Sequence, residues 1–193
     1  MEPMAAPTLV LICGYARAGK DTLASGILEW ANRPSRKQNF ADYLKDAAND
    51  YLMSLNLPGD FHNEPFKVEH RDFLVAAGRL ARSIDKDIFA KHMANFVPIQ
   101  MTPGEQAAET VVCSDWRYGN ELVVCQEIMH DIGWKVRTIY VSTAGVGPAN
   151  NEELDSILAI RERHCFDLEL TFAPNSRNAI MQEGRYIAKT WRL

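Results

Sequence analysis

A short apolar run that ends in a glycine loop and continues as a helix restricts this chain more than any other feature. Thr8–Cys13, TLVLIC, is far too short to cross a bilayer, and its place directly before the loop makes it a buried strand. Gly14–Gly19 is the loop, and Lys20–Ala31 sets Leu23, Ile27 and Leu28 on one helical face. Gly14-Tyr-Ala-Arg-Ala-Gly19-Lys20 has the GxxxxGK spacing in the strand-to-helix setting that gives the motif meaning. Glycines let backbone N–H groups curl around phosphate oxygens, the helix N-terminus adds its positive end, and the Lys20 ammonium can bridge a transferring phosphoryl group. A tight structural turn is the plain alternative. On the phosphate reading, Gly14, Ala16, Arg17, Ala18, Gly19, Lys20, Asp21 and Thr22 form the cofactor cradle.

Asp21 occupies the position where Ser or Thr commonly holds Mg²⁺, and Thr22 follows it. Either Asp21 binds the metal, directly or through water, or it is an acidic residue favoured by the dipole of the first helical turn.

The remaining chain alternates strands with helices. An extended piece at Gln38–Phe40 leads into a helix from Ala41 to about Leu55, which Asn56–Asn63 breaks. Val68–Ser83 and Asp85–Phe96 carry helical periodicity, and Pro98–Glu105 reads as a surface connection. Thr110–Ser114 is a second buried strand; Tyr118–Ile132 helix, Lys135–Val141 strand, Asn151–Arg163 helix, Leu168–Phe172 strand and Ser176–Lys189 helix follow. This order implies a parallel sheet wrapped on both faces, with ligands at the carboxyl ends of its strands. At 193 residues and 47% hydrophobic, one α/β domain can bury a continuous core without disulfides or metal staples. Cys13, Cys113, Cys125 and Cys165 show no metal spacing, and no signal peptide is read before them, so reduced thiols, with Cys13 and Cys113 in the core, and a cytoplasmic location are expected. The five histidines have no ligand spacing and no Ser/His/Asp order stands out, which leaves zinc and nucleophilic chemistry unsupported. With 21 Lys plus Arg against 25 Asp plus Glu, net −4, no broad basic surface points to nucleic acid, and no membrane role is indicated.

Further candidates lie past the strand ends. Asp115 follows Val111–Ser114, where a carboxylate can hold the water shell of Mg²⁺ or cap the helix that begins near Tyr118. Arg117 can touch the acceptor or a phosphate, with Glu121 as its expected partner. Arg71 and Arg82, eleven positions apart, project along one helical line with Gly78 between them. They suit an anionic acceptor with a base or backbone brought close at Gly78, or they are solvent-exposed ion pairs; Arg79 lies off that line. Lys45 stands one turn after Asp42, so the two pair on a helix, or Lys45 steadies the acceptor's phosphate. Val146–Asn151 is a candidate hinge, and Arg161 and Arg163 the only arginines of a short lid-like stretch, with a charged helix face as the alternative.

Gly14-x-x-x-x-Gly19-Lys20-Asp21-Thr22 resembles the phosphate loop of phage-type deoxynucleoside monophosphate kinases, relatives of the P-loop nucleoside monophosphate kinase group. Ser114-Asp-Trp-Arg-Tyr-Gly-Asn-Glu121 is similar to the family's DxRxxxE segment; Phe40–Lys45, Arg71–Phe89 and Asp167–Asn175 agree more loosely. The resemblance implies a three-layer P-loop NTPase fold with a five-stranded parallel sheet, formed by residues 1–193 as one kinase domain with acceptor-binding helices at about 41–96 and a lid-like segment at about 144–163. It implies ATP and Mg²⁺ as cofactors, Lys20, Asp115 and Arg117 as catalytic, Asp21 and Asp115 at the metal, and Asn175 beside adenine. Asp42, Lys45, Arg71, Gly78, Arg79, Arg82 and Arg117 would then bind a deoxynucleoside monophosphate, converted to its diphosphate, with a homodimer as a candidate assembly. Two alternatives stand: a kinase for hydroxymethylated pyrimidine, free or in DNA, which the net charge disfavours for DNA, and a nucleotide-binding protein without catalysis.

Overall fold

The computed structural model describes residues 6–97 and 109–193, so the expected connection at 98–105 lies outside the described residues. In chain order the elements are β1 (Thr8–Cys13), α1 (Lys20–Trp30), β2 (Ser35–Lys37), α2 (Phe40–Ser54), α3 (Glu64–Glu69), α4 (Arg71–Ile84) and α5 (Ile88–Phe96). Then come β3 (Thr110–Cys113), α6 (Gly119–Asp131), β4 (Lys135–Thr143), α7 (Asn151–Arg163), β5 (Leu168–Phe172) and α8 (Arg177–Trp191).

The strands make one parallel sheet in the order β2-β3-β1-β4-β5. Every residue of β1 is buried because it lies at the centre of the sheet with helices on both faces. Its alternate side chains divide between two cores. Leu9, Leu11 and Cys13 join Val111, Tyr140, Phe89, Met93, Leu122, Met129 and Ile157 under α5, α6 and α7. Val10 and Ile12 join Val112, Ile139, Leu23, Ile27, Ile180 and Ile187 under α1 and α8. These last two helices touch backbone to backbone: a Cβ on Gly184 would stand 2.7 Å from the carbonyl carbon of Gly26. The chain runs to one side of β1 for β2 and β3 and to the other for β4 and β5, so the strand order reverses beside β1, where a doubly wound sheet opens its ligand crevice.

Most elements begin and end within two residues of the positions expected from their periodicity. Three differ. The second strand is Ser35–Lys37 rather than Gln38–Phe40; it is an edge strand of polar and charged residues with no apolar run to mark it, and Phe40 already belongs to α2. The helix expected at Val68–Ser83 is two helices: α3 starts at Glu64 behind an Asn63 side-chain cap with proline in its first turn, and His70 ends it before α4. The helix expected from Asp85 starts at Ile88, since Asp85 ends α4 and its carboxylate accepts from the Asp87 N–H at 2.9 Å.

The segment α2–α4 has its own small aromatic core. Phe61, buried in the connection after α2, stacks on Phe73 and meets Phe66 edge-on at ring-centroid distances of 5.6 and 5.1 Å. The Asn49 side chain accepts from the Phe61 N–H and donates to Asp60, both at 2.8 Å, which clamps that connection onto α2. Cys13, Cys113 and Cys125 are buried free thiols; burial pushes the Cys13 thiol up to about 12, which makes it an inert core residue. No helix among the described residues is long and apolar enough to cross a membrane.

Candidate phosphotransfer site

The loop between β1 and α1 takes a shape that only part of its sequence could adopt freely. Gly14 and Gly19 have φ of 144° and 94°, and Arg17 enters the left-handed region at 66°. At Gly14 there is no room for a side chain, because a Cβ would lie 2.1 Å from the Val141 carbonyl oxygen of the neighbouring strand. Ala18 is buried, and its carbonyl accepts from the Thr143 hydroxyl at 3.0 Å, tying the loop to the end of β4.

Lys20 opens α1 and folds back, donating from Nζ to the carbonyls of Gly14 and Tyr15, each at 2.8 Å. Burial lowers its proton affinity, the Arg117 charge lowers it further, and Glu153 and Asp21 oppose the drop without reversing it. Lys20 at the start of α1 therefore feels the charge of Arg117, which stands on the turn between β3 and α6. Nothing in the sequence spacing required that, since almost a hundred positions separate them.

Asp21 projects toward the ends of β2 and β3. Its Oδ1 accepts from the Lys37 ammonium and from the Ser114 hydroxyl, both at 2.6 Å, and Ser114 Oγ lies 3.2 Å from Asn39 Oδ1. Partial enclosure raises the Asp21 pKa, but the Lys37 and Ser114 hydrogen bonds outweigh it and hold the carboxyl below its ordinary range. Thr22 follows in the first turn of α1. The set Asp21, Ser114 and Asn39 is a group of hard oxygen donors beside the loop. It fits Mg²⁺, which takes one or two protein oxygens and fills its remaining positions with water and phosphate. Among the described residues no three carboxylate, histidine or cysteine side chains converge on a metal position.

Asp115 has an occupation the sequence reading did not foresee. Its two oxygens accept from the N–H groups of Phe40 and Ala41 at 2.9 and 3.0 Å, and from the Cys113 thiol at 3.1 Å. It caps a helix, but α2 across the sheet edge rather than α6 next in sequence. The expectation for Glu121 also changes: its carboxylate accepts from the backbone N–H groups of Arg117 and Tyr118, at 2.9 and 3.0 Å, not from the Arg117 guanidinium. Burial raises its pKa to about 7, against the pull of those two N–H donors. The Arg117 side chain is exposed on the turn that Glu121 holds.

On the acceptor side the candidates separate. Arg82 lies over the rings of Phe89 and Tyr118 at 4.6 and 4.9 Å, so α4 presents it to the same turn that carries Arg117. Arg79 points to Glu152 of α7, with an N–O distance of 3.9 Å between two exposed side chains. Arg71 is exposed at the far end of α4. The gap expected at Gly78 is filled by Leu44 of α2, whose Cδ2 would be 3.2 Å from an added Cβ; glycine there lets two helices pack. Asp42 and Lys45 form the helical pair, at 2.7 Å, and the other Asp42 oxygen accepts from the Asn39 N–H as part of the cap of α2. Asn175 takes φ 60° in the connection from β5 to α8, the helix whose Ile180 packs against Gly19 of the loop. The expected lid is an ordinary helix, α7; Arg161 stacks on Tyr140 at 4.5 Å and faces Glu169 at 3.5 Å, against the sheet rather than over the loop.

Lys37, Asn39 and Glu153 were missed. Lys37 ends a three-residue strand with no apolar signature. Asn39 and Glu153 carried a readable signal, since Asn39-x-x-Asp42 and Asn150-x-x-Glu153 are capping-box spacings. What could not be read is that Glu153 turns away from its own cap and accepts from the Ala16 N–H in the loop at 2.9 Å.

No protein-family model matches the sequence, and no curated protein is similar to it. The solved structures that match include the following kinases. A sugar kinase from Janibacter sp. HTCC2649, unliganded, shares 15% identity over 96% of this chain and 94% of its own, with a TM-score of 0.47. A gluconokinase from Sinorhizobium meliloti 1021 shares 10% identity over 96% and 94%, TM-score 0.48. The Mycobacterium tuberculosis APS kinase in complex with AMPPNP and APS shares 14% identity over 96% and 97%, TM-score 0.44.

Proposed function

We propose that this chain transfers the terminal phosphate of ATP to a deoxynucleoside monophosphate. The observation that supports this most is Lys20 folded back onto the Gly14 and Tyr15 carbonyls at the mouth of the glycine loop, where burial and the charge of Arg117 lower its proton affinity. A partly buried ammonium whose charge is disfavoured is relieved when an anion reaches it, and a phosphoryl group in transit carries that charge. The loop N–H groups and the α1 N-terminus hold the donor phosphates, and Lys20 leaves the Gly14 and Tyr15 carbonyls to meet them. Mg²⁺, when bound, neutralises phosphate charge, and Asp21 with Ser114 would hold it once Lys37 moves off Oδ1. Asp115 acts at one remove, fixing α2 against β3 so that Asn39 and Ser114 keep their places. Arg117 and Arg82, the latter lying over the ring of Tyr118, would form the wall against which the acceptor's phosphate and base lie.

The choice of a deoxynucleoside monophosphate rests on the likeness of Gly14–Thr22 and Ser114–Glu121 to the phage kinases. It is tested by following ADP release and product mass with the deoxynucleoside monophosphates in turn, beside oligonucleotides with and without hydroxymethyluracil. The expected result is a diphosphate from at least one monophosphate. Label found only in the modified oligonucleotide would move the acceptor into DNA, and ATP binding without turnover would leave a nucleotide-binding protein.

A further inference from the structure

Glu153 is one of the few buried carboxylates of the molecule, and it stands on the phosphate loop. One oxygen accepts from the Ala16 N–H at 2.9 Å; the other accepts from the Ala149 N–H at 2.7 Å. The Glu153 N–H itself is taken by the Asn150 side chain at 2.8 Å, so the first turn of α7 is built around this residue. A carboxylate on a backbone N–H of a phosphate cradle is an anion in the position of an anion. The next residue back, Glu152, accepts from the Tyr118 hydroxyl at 3.1 Å and faces Arg79 of α4. The same helical turn therefore touches the donor loop through Glu153 and the acceptor wall through Glu152.

We infer that Glu153 is the resident anion of the loop, a positioning residue that is exchanged for ligand phosphate and thereby releases the first turn of α7. The inference rests on the phosphate-binding reading of the loop and adds to it how filling that loop is reported elsewhere. In the free protein, Glu153 gives the Ala16 N–H a partner and helps keep Lys20 charged, since its carboxylate opposes the lowering effect of burial and Arg117. When phosphate approaches, its oxygens and the Glu153 carboxylate compete for one N–H group and repel each other. The carboxylate leaves, the Ala149 N–H loses its acceptor, and the Glu152 contacts to Tyr118 and Arg79 lose the support beneath them. Donor occupancy is thus passed to the acceptor wall by a single carboxylate.

The experiment uses the full chain, with AMPPNP and inorganic tripolyphosphate as probes. Binding is measured by calorimetry, and hydrogen exchange is followed in peptides covering 14–20 and 144–153, for the wild type, Glu153→Gln and Glu153→Ala. Saturating ligand should protect the loop peptide and speed exchange in the 144–153 peptide of the wild type. Both variants should show fast exchange at 144–153 before ligand is added and bind tripolyphosphate about tenfold tighter, the order expected when one like charge leaves an anion site. A carboxylate that merely props the loop predicts the opposite: weaker binding by both variants and a 144–153 peptide that stays protected in the wild-type complex. Either of those results overturns the exchange while leaving the phosphate site standing. Absence of loop protection by both probes in all three proteins would instead overturn the proposed function, and the exchange with it.

Discussion

The proposed donor half and the proposed acceptor half of this molecule are built on different terms. Around the glycine loop every group of consequence is tied to a neighbour: Lys20 to two carbonyls, Ala16 to Glu153, Ala18 to Thr143, Asp21 to Lys37 and Ser114. On the acceptor side, α3 and α4 each bury little, and Phe73, Val75, Leu80 and Ile84 of α4 are exposed beside Arg71 and Arg79. A site that does the same chemistry on every turnover profits from being preformed, whereas one that admits and releases a changing acceptor is drawn from weakly packed elements. The two halves should therefore respond to substitution in different ways.

The largest expected effect is at the donor loop. Lys20→Ala removes the cation that meets the transferring phosphate and should lower turnover about a thousandfold or more in an ADP-release assay. Among the described residues its ammonium hydrogen-bonds loop carbonyls that water can satisfy, so the circular dichroism spectrum and melting midpoint should stay close to those of the wild type. Full activity in this variant would remove the distinction between the halves altogether.

The same contrast explains what could be read from the chain beforehand. The donor loop was legible because its chemistry is local: backbone N–H groups, two glycines and a lysine within one strand-loop-helix unit. The sheet was legible for a similar reason, since β1 and β3 are apolar runs buried on both faces and β4 is buried at its centre, residues 138–141. The acceptor side was read as one line of arginines along one helix, and it broke on tertiary facts. Leu44 fills the space at Gly78, His70 splits the helix, Arg79 is drawn to α7 and Arg82 is stacked on Tyr118. Asp115 shows the same limit within a single residue. Its place after β3 was evident, but which helix it would cap depends on α2 lying alongside, and no spacing encodes that.

The seam between the halves is the Arg117–Tyr118 turn, and Glu121 beneath it makes the seam sensitive to pH. Its folded pKa of about 7 lies above the ordinary glutamate value of 4.5, so the folded protein holds the proton more tightly than the unfolded chain. The stability this contributes is complete below 4.5 and is lost as pH rises through 7, a change of up to about 3 kcal/mol. Glu121→Gln keeps an acceptor for the two N–H groups but cannot ionise. Urea unfolding of both proteins from pH 4 to 8 should show the wild type losing stability relative to the variant across that range. Asp21, Asp60 and Asp85, whose pKa values are lowered, act at the acid end in both proteins alike and cancel in the difference. Parallel curves would mean that Glu121 stays ionised in its capping box, and that the turn carrying Arg117 is as firmly set as the donor loop.

The smallest effect belongs to Gly78, and it tests the acceptor half most directly. An added methyl would meet Leu44 Cδ2 at 3.2 Å and Arg82 Nη1 at 3.4 Å, so two flexible side-chain ends must shift by a few tenths of an ångström. Replacing a mid-helix glycine with alanine also favours the helix by about 1 kcal/mol. The two contributions nearly offset each other, and Gly78→Ala should change the unfolding free energy by less than about 1 kcal/mol. The acceptor's KM should hardly move, because the residue packs α4 on α2 and faces no ligand. A KM raised many-fold at unchanged stability would show that the acceptor reaches this position after displacing Leu44. The acceptor half would then form around its ligand while the donor half waits ready made.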